Sequence, residues 1–69
     1  MKLSARNHMP AVVTSINEGE AIANVALDVM GRRLVASITV EAVHELGLEP
    51  GKQVAAIFKA SDVMIAVED

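Results

Sequence analysis

The apolar positions of this chain follow a period of two along most of its length and change period once. From Ala11 to Ile16, "AVVTSI" is dense in β-branched residues and reads as a strand. "NEGE", residues 17–20, supplies Asn and Gly for a hairpin turn. "AIANVALDVM", residues 21–30, then alternates: Ala21, Ala23, Val25, Leu27 and Val29 share one face, with Asn24 and Asp28 on the other. Gly31 and Arg32 read as the next turn. "RLVASITV", residues 33–40, gives a third strand, with Leu34, Ala36, Ile38 and Val40 on its apolar face and Arg33, Ser37 and Thr39 opposite. In "TVEAVHELGLEPG" the period lengthens: Val43 and Leu46 are three apart, Thr39 can serve as N-cap, Glu41 sits in the first turn and Gly47 suits the left-handed C′ position. This predicts one or two helical turns. Pro50-Gly51 fits the centre of a type II turn. "KQVAAIFK", residues 52–59, is a fourth strand with Val54, Ala56 and Phe58 on one side, and "DVMIAV", residues 62–67, is a fifth.

Five short strands with one small helix before the fourth describe an all-β, OB-like barrel, closed or nearly so, and 69 residues set a ceiling of one domain, residues 1–69. Composition changes that picture in one respect. Apolar residues make up 52% of the chain, nearly all aliphatic or Ala, and Phe58 is the single aromatic. That is more apolar surface than a small monomer can hide, so an oligomer is expected, with part of its core between subunits. The absence of Cys excludes disulfides and thiolate metal sites. The two His are too few for a metal centre, so no direct cation ligands are expected, and His44 is placed on the helix surface. Met1, Met9, Met30 and Met64 are expected to fill space. A net charge of −3 and the lack of aromatic platforms argue against a nucleic-acid partner. No run approaches the roughly 20 apolar residues of a membrane span, and "MKLSARNHMP" has no signal-peptide core. The expectation is a cytoplasmic protein without membrane contact. No nucleophile–base set, Gly-rich phosphate loop or paired carboxylates suggests catalysis.

Three groups of polar residues carry candidate chemistry, and each has a plain structural reading beside it. Ser4, Arg6 and Asn7 bring hydroxyl, guanidinium and amide donors together with no acidic neighbour. They are either a solvated terminus or donors to a small oxyanion, for which the spacing of Ser4 and Arg6 puts both on one side of a strand. Lys59, Ala60 and Ser61 lie at the end of the fourth strand. Lys59 is either a charged strand end or an anion ligand, and the small residues after it let backbone N–H groups approach closely. Thr39, at a strand–helix junction, either caps the helix or donates its hydroxyl, two uses that would compete for one oxygen.

With "SARN" near its start, "ASITVEAVHELGLEPGKQV" in its middle and "FKASDVMI" near its end, the chain resembles the molbindins, small Mop-type molybdate-binding proteins related to TOBE domains. The resemblance covers essentially the whole chain. It implies an OB-like barrel, assembly as a hexamer described as a trimer of dimers, and several molybdate or tungstate ions held at subunit interfaces. Carried over by motif, Ser4, Arg6, Thr39, Lys59 and Ala60 would line such a site, with Asn7 and Ser61 as weaker members. Lys59 would supply charge, Ser4 and Thr39 hydroxyls, Ala60 a backbone N–H, and Arg6 its guanidinium or main chain. The resemblance further implies molybdenum storage and homeostasis without an organic cofactor. One position departs from the family pattern: Ala42 stands where many members carry a serine donor. The family's second class of site, near the symmetry axes, has no assignable residues here, and Glu18 and Glu20 would oppose an anion held by the first turn. Two other readings stay open. "LGLEPGKQV" also resembles a phrase of DNA-associated swapped-hairpin transcription modules, and a ligand-free oligomerisation module would explain the apolar excess alone.

Overall fold

The computed structural model describes residues 4–68; Met1, one of the methionines expected to fill space, and Leu3, which opens the polar N-terminal stretch, lie outside the described residues. Four strands, a short helix and a 3-10 turn follow in order: β1 (Asn7–Glu18), β2 (Ile22–Val29), β3 (Arg32–Thr39), α1 (Val40–Glu45), β4 (Gln53–Phe58) and the turn Ala60–Asp62. They form one antiparallel sheet in the order β3-β2-β1-β4.

The sheet curls because β1 serves two neighbours. Its first half pairs with β4, from Asn7↔Phe58 to Val12↔Gln53, and its second half pairs with β2, from Val12↔Asp28 to Glu18↔Ala23. Between them the register shifts: Val13 faces Leu27 but Ser15 faces Ala26, leaving Thr14 as the extra residue of a β-bulge. The Thr14 hydroxyl donates to the Ala26 carbonyl at 3.1 Å. A bulge also flips the inward parity of a strand. Ala11 and Val13 are buried before it and Ile16 is half-buried after it, an offset that keeps all three on the concave face.

That face holds the core. Ala11, Val13, Ala23, Val25, Leu27, Val29, Val43 and Ala56 form one buried cluster, with Ile16, Ile38, Val40, Leu48 and Val54 packed against it. The predicted alternation of β2 holds in part: Ala23, Val25, Leu27 and Val29 are buried and Asn24 and Asp28 exposed, but Ala26 on the outward parity is buried too and Ala21 is exposed ahead of the strand. On the other face Ser37 donates to Asn24, its register partner across β2 and β3.

Helix α1 plugs one end of the curl. Thr39 is its N-cap, with Oγ1 accepting from the Ala42 N–H at 3.0 Å. Val43 points inward at 3% exposure, and Gly47 follows at φ 62° as the left-handed residue after the C-cap. Lys52 Nζ donates to the Leu46 and Gly47 carbonyls at 2.7 and 3.2 Å, so its cation sits on the negative end of the helix. Gly51 at φ 94°, with Lys52 N–H bonded to Glu49 C=O at 3.1 Å, realises the type II turn.

Three expectations are corrected. The β2–β3 turn is centred on Met30 and Gly31, at φ 52° and 86°, rather than on Gly31 and Arg32, because Arg32 pairs with Val29 in the ladder. Among the described residues, the methionines do not fill the core: Met30 is 95% exposed and Met64 93% exposed, since one lies at a turn tip and the other beyond the last strand. Residues 62–67 are not a fifth strand of this sheet. The chain makes a 3-10 turn over Ala60–Asp62 and continues unpaired, leaving four strands in an open curl rather than five in a barrel.

The turn correction yields a prediction. Two positive φ angles in a two-residue hairpin loop favour Asn-Gly, while a longer L side chain held there is strained by about 1 kcal/mol. Met30→Asn is therefore expected to stabilise the protein by up to about 1 kcal/mol and raise its melting temperature by about 4 °C. Thermal unfolding followed by circular dichroism measures this, and a lowered midpoint would mean that the exposed Met30 side chain is held by contacts of its own.

Candidate functional site

Strand register decides which candidate residues meet. In the antiparallel β1–β4 pair, Asn7 faces Phe58 and His8 faces Ile57. One step beyond the last pair brings Arg6 opposite Lys59, with Ser4 and Ala5 ahead of one and Ala60 and Ser61 behind the other. The two segments furthest apart in sequence thus share one end of the sheet. Ser4, Arg6, Lys59, Ala60 and Ser61 are exposed there and Asn7 is half-buried.

The backbone after Lys59 adds donors. Lys59 is the N-cap of the 3-10 turn, with extended φ −74° and ψ 147°, and has no side-chain capping bond. Within the turn the Asp62 N–H reaches the Lys59 carbonyl at 2.9 Å and the Val63 N–H reaches the Ala60 carbonyl at 3.2 Å. The Ala60 and Ser61 N–H groups precede the first bonded donor of the turn, the positions whose N–H groups have no partner within a helical turn. A lysine, a guanidinium, a hydroxyl and two amide N–H groups therefore gather at one sheet end. Asp62 adds an acceptor beside them. It stands in "FKASD" and is a charged neighbour that a reading based on donors passes over.

Thr39 does not join this group. It ends β3 and pairs with Ile22, and Ile22 lies by the loop that follows Glu18, at the far end of β1 from Asn7. Its surroundings are acidic: Glu41 opens α1, and Glu18 lies 3.7 Å from the exposed His44 imidazole. The cap geometry also removes the expected competition for the Thr39 hydroxyl. Its oxygen accepts from Ala42, which leaves its hydrogen free to be donated elsewhere. Ala42 contributes only its backbone N–H.

A second feature is the concave groove between the free edges of β3 and β4. Its volume is about 550 Å³, and its walls include Leu34, Val35, Ile38, Leu48, Ile57 and Phe58. So apolar a lining suits apolar side chains; an oxyanion placed there would lose its hydration without gaining donors. Among the described residues no group of three or more His, Cys, Asp and Glu could hold a metal ion, and no helix is long and apolar enough to cross a membrane.

Residues 3–65 match the TOBE domain family model. A probable molybdenum-pterin-binding protein of Haemophilus influenzae is 45% identical over 69 residues, covering 99% of this chain and 100% of its own length. The structure of a molybdate-binding protein from Sporomusa ovata superposes with a TM-score of 0.94 at 39% identity, covering 97% of this chain and 100% of that one. The cytoplasmic molybdate-binding protein ModG, solved with molybdate bound, superposes with a TM-score of 0.88 at 42% identity, over 93% of this chain and 46% of its own. The match along residues 3–65, together with neighbours of the Mop type over the full length of the fold, means that this chain belongs to the TOBE domain family as a molbindin.

Proposed function

We propose that this protein binds molybdate reversibly, as a cytoplasmic store and buffer of molybdenum, and that it works as a hexamer with the ions at subunit interfaces. The relatives it matches along nearly their whole length are named as binding proteins, and the chain is not an enzyme. The observation that supports the ligand assignment is the Asn7↔Phe58 pair that ends the β1–β4 ladder, since extending its register by one step sets Arg6 across from Lys59. In this reading Lys59 and Arg6 supply charge, Ser4 a hydroxyl, and Ala60 and Ser61 their N–H groups, with Asn7 at the margin. Because Thr39 stands at the other end of β1, its hydroxyl enters a site of this kind from a second copy. That division is what an interface site requires, and it makes ligand binding stabilise the assembly.

Selectivity follows from the donor set. Molybdate carries no proton at neutral pH, so each of its oxygens accepts. The donors suit it, whereas hydrogen phosphate must place a proton against an acceptor, so selectivity requires that the Asp62 carboxylate face away from the bound ion; the phosphate proton is then unpaired, and an unpaired polar group in a binding site can cost orders of magnitude in affinity. Tungstate, of the same charge and shape, is expected to bind as well. The site uses no organic cofactor, no nucleic acid and no membrane.

Isothermal titration of the purified protein with molybdate, with sulfate and phosphate as competitors, tests the reading. The expected result is saturable binding that survives excess phosphate. Absence of binding together with an unchanged hexamer would identify a ligand-free assembly module, and a salt-dependent shift of duplex DNA would identify a DNA-associated one.

A further inference from the structure

Charge is divided between the two ends of the sheet, and neither end meets its complement within one subunit. At the end that carries the oxyanion donors, Arg6 and Lys59 are exposed cations, and among the described residues neither forms an ion pair. Asp62 does not supply one; it lines the apolar groove. The end that carries Thr39 has the opposite sign. Glu18 lies beside His44, while Glu20 in the β1–β2 loop and Glu41 in the first turn of α1 are exposed, with no cation paired to them among the described residues. On a single subunit this separation costs little, because exposed charges are hydrated. In an assembled site it matters. A cation drawn out of water into an interface is costly unless something pairs with it.

A contact that delivers Thr39 to a second copy also delivers Glu41. Both are exposed, they stand two residues apart, and the Thr39 hydroxyl caps the N–H of Ala42, the residue after Glu41. Glu45 lies about 6 Å further along the helix axis, at about 1.5 Å per residue. We propose, on the reading that Thr39 completes the oxyanion site from a second copy, that Glu41 of that copy pairs with Lys59 in the ligand-free assembly and is displaced by the ion. The carboxylate stands in for the oxyanion and keeps the cation paired until a ligand arrives. It also selects by charge. A dianion is held by Arg6 and Lys59 more strongly than one carboxylate is, since Coulomb energy scales with the product of the charges. A monoanion such as chloride has no such advantage, and it competes with a group that the assembly holds at an effective concentration on the order of millimolar.

Charge reversal tests the pair directly, because Glu41 and Lys59 lie at opposite ends of one subunit and meet only across copies. Thermal unfolding is followed on ligand-free protein at fixed concentration. Glu41→Lys and Lys59→Glu are each expected to lower the midpoint by about 4 °C, and the double variant to recover most of that loss. Glu20→Lys or Glu45→Lys combined with Lys59→Glu makes the same change in net charge and is expected to recover none of it. Titration calorimetry supplies the second reading. Glu41→Gln is expected to tighten molybdate binding about fivefold, and Glu20→Gln or Glu45→Gln less than about twofold. A double variant that recovers nothing, or controls that recover equally, would overturn the proposal. So would a Glu41→Gln affinity for molybdate that is unchanged or weaker. The functional reading fails separately: wild-type protein that shows the Glu41–Lys59 recovery but takes up no molybdate keeps the pair and loses the ligand.

Discussion

Lys59→Ala is expected to weaken molybdate binding by about tenfold to a hundredfold, while Lys52→Ala leaves it within about twofold. Hydrogen bonds to charged groups contribute about 1.5–3 kcal/mol, and each 1.4 kcal/mol is roughly a factor of ten in affinity. Lys59→Ala loses such a bond in the proposed site, one residue beyond the Asn7↔Phe58 pair that ends the β1–β4 ladder. Lys52 is a cation of equal charge on the same strand approach, but its Nζ is committed to the Leu46 and Gly47 carbonyls. Lys52→Ala should instead lower stability by about 0.5–1 kcal/mol through loss of its interaction with the helix end. The pair separates local recognition from the general field of the protein, since each variant removes one positive charge. Titration calorimetry reads the affinities and denaturant unfolding reads the stabilities. Equal weakening by both would place the oxyanion elsewhere.

The fold was legible in the sequence wherever one side of an element meets water and the other meets the core. β2 shows its inner face because Asn24 and Asp28 face solvent while Ala23, Val25, Leu27 and Val29 are buried, with the small Ala26 the one buried residue on the outward parity. Thr39 and Gly47 mark the helix because capping and a left-handed residue each demand a particular chemistry. The bulge at Thr14 was not legible. It appears only as Ile16 replacing Ser15 on the inner face, and nothing in "AVVTSI" distinguishes that from a straight strand. The reading of 62–67 as a strand of this sheet failed for a related reason. Residue preference says that "DVMIAV" is apolar and extended; it does not supply a neighbouring strand, and this sheet holds none for it.

The candidate site divides the same way. The donor types in "SARN" and "FKAS" could be read directly, since oxyanions need hydroxyls, N–H groups and cations. That the two stretches sit side by side required the Asn7↔Phe58 register, which links positions 51 residues apart. That Thr39 belongs to the opposite end required the Ile22↔Thr39 pair. A list of good donors along a chain is therefore not a site until the ladder has been drawn. Once it is drawn, the candidates fall into two groups at opposite sheet ends, which one subunit does not bring together.

Val13→Ala is expected to destabilise the protein by about 2 kcal/mol, near 1 kcal/mol for each buried carbon removed. Val13 is 1% exposed and, with Val25, is among the largest side chains fully enclosed. Its neighbours in the core include Ala11, Ala23 and Ala56, short side chains that cannot swing in to close the gap, so the cavity persists rather than collapsing. A chain of this length has a total stability of roughly 3–10 kcal/mol, so this one change removes a substantial share of it. The melting temperature should fall by about 10 °C at fixed protein concentration, a condition needed because assembly adds to apparent stability. Val12→Ala is the matched control. Val12 is the adjacent residue on the same strand, is 37% exposed on the convex face, and sits between Asp28 and Gln53 in the ladder. Losing the same two carbons there should cost under about 1 kcal/mol, mostly through strand preference. Comparable losses at both positions would mean that the convex face of β1 is itself covered in the assembled protein. The core would then extend through the sheet to a neighbouring subunit rather than ending at Val13.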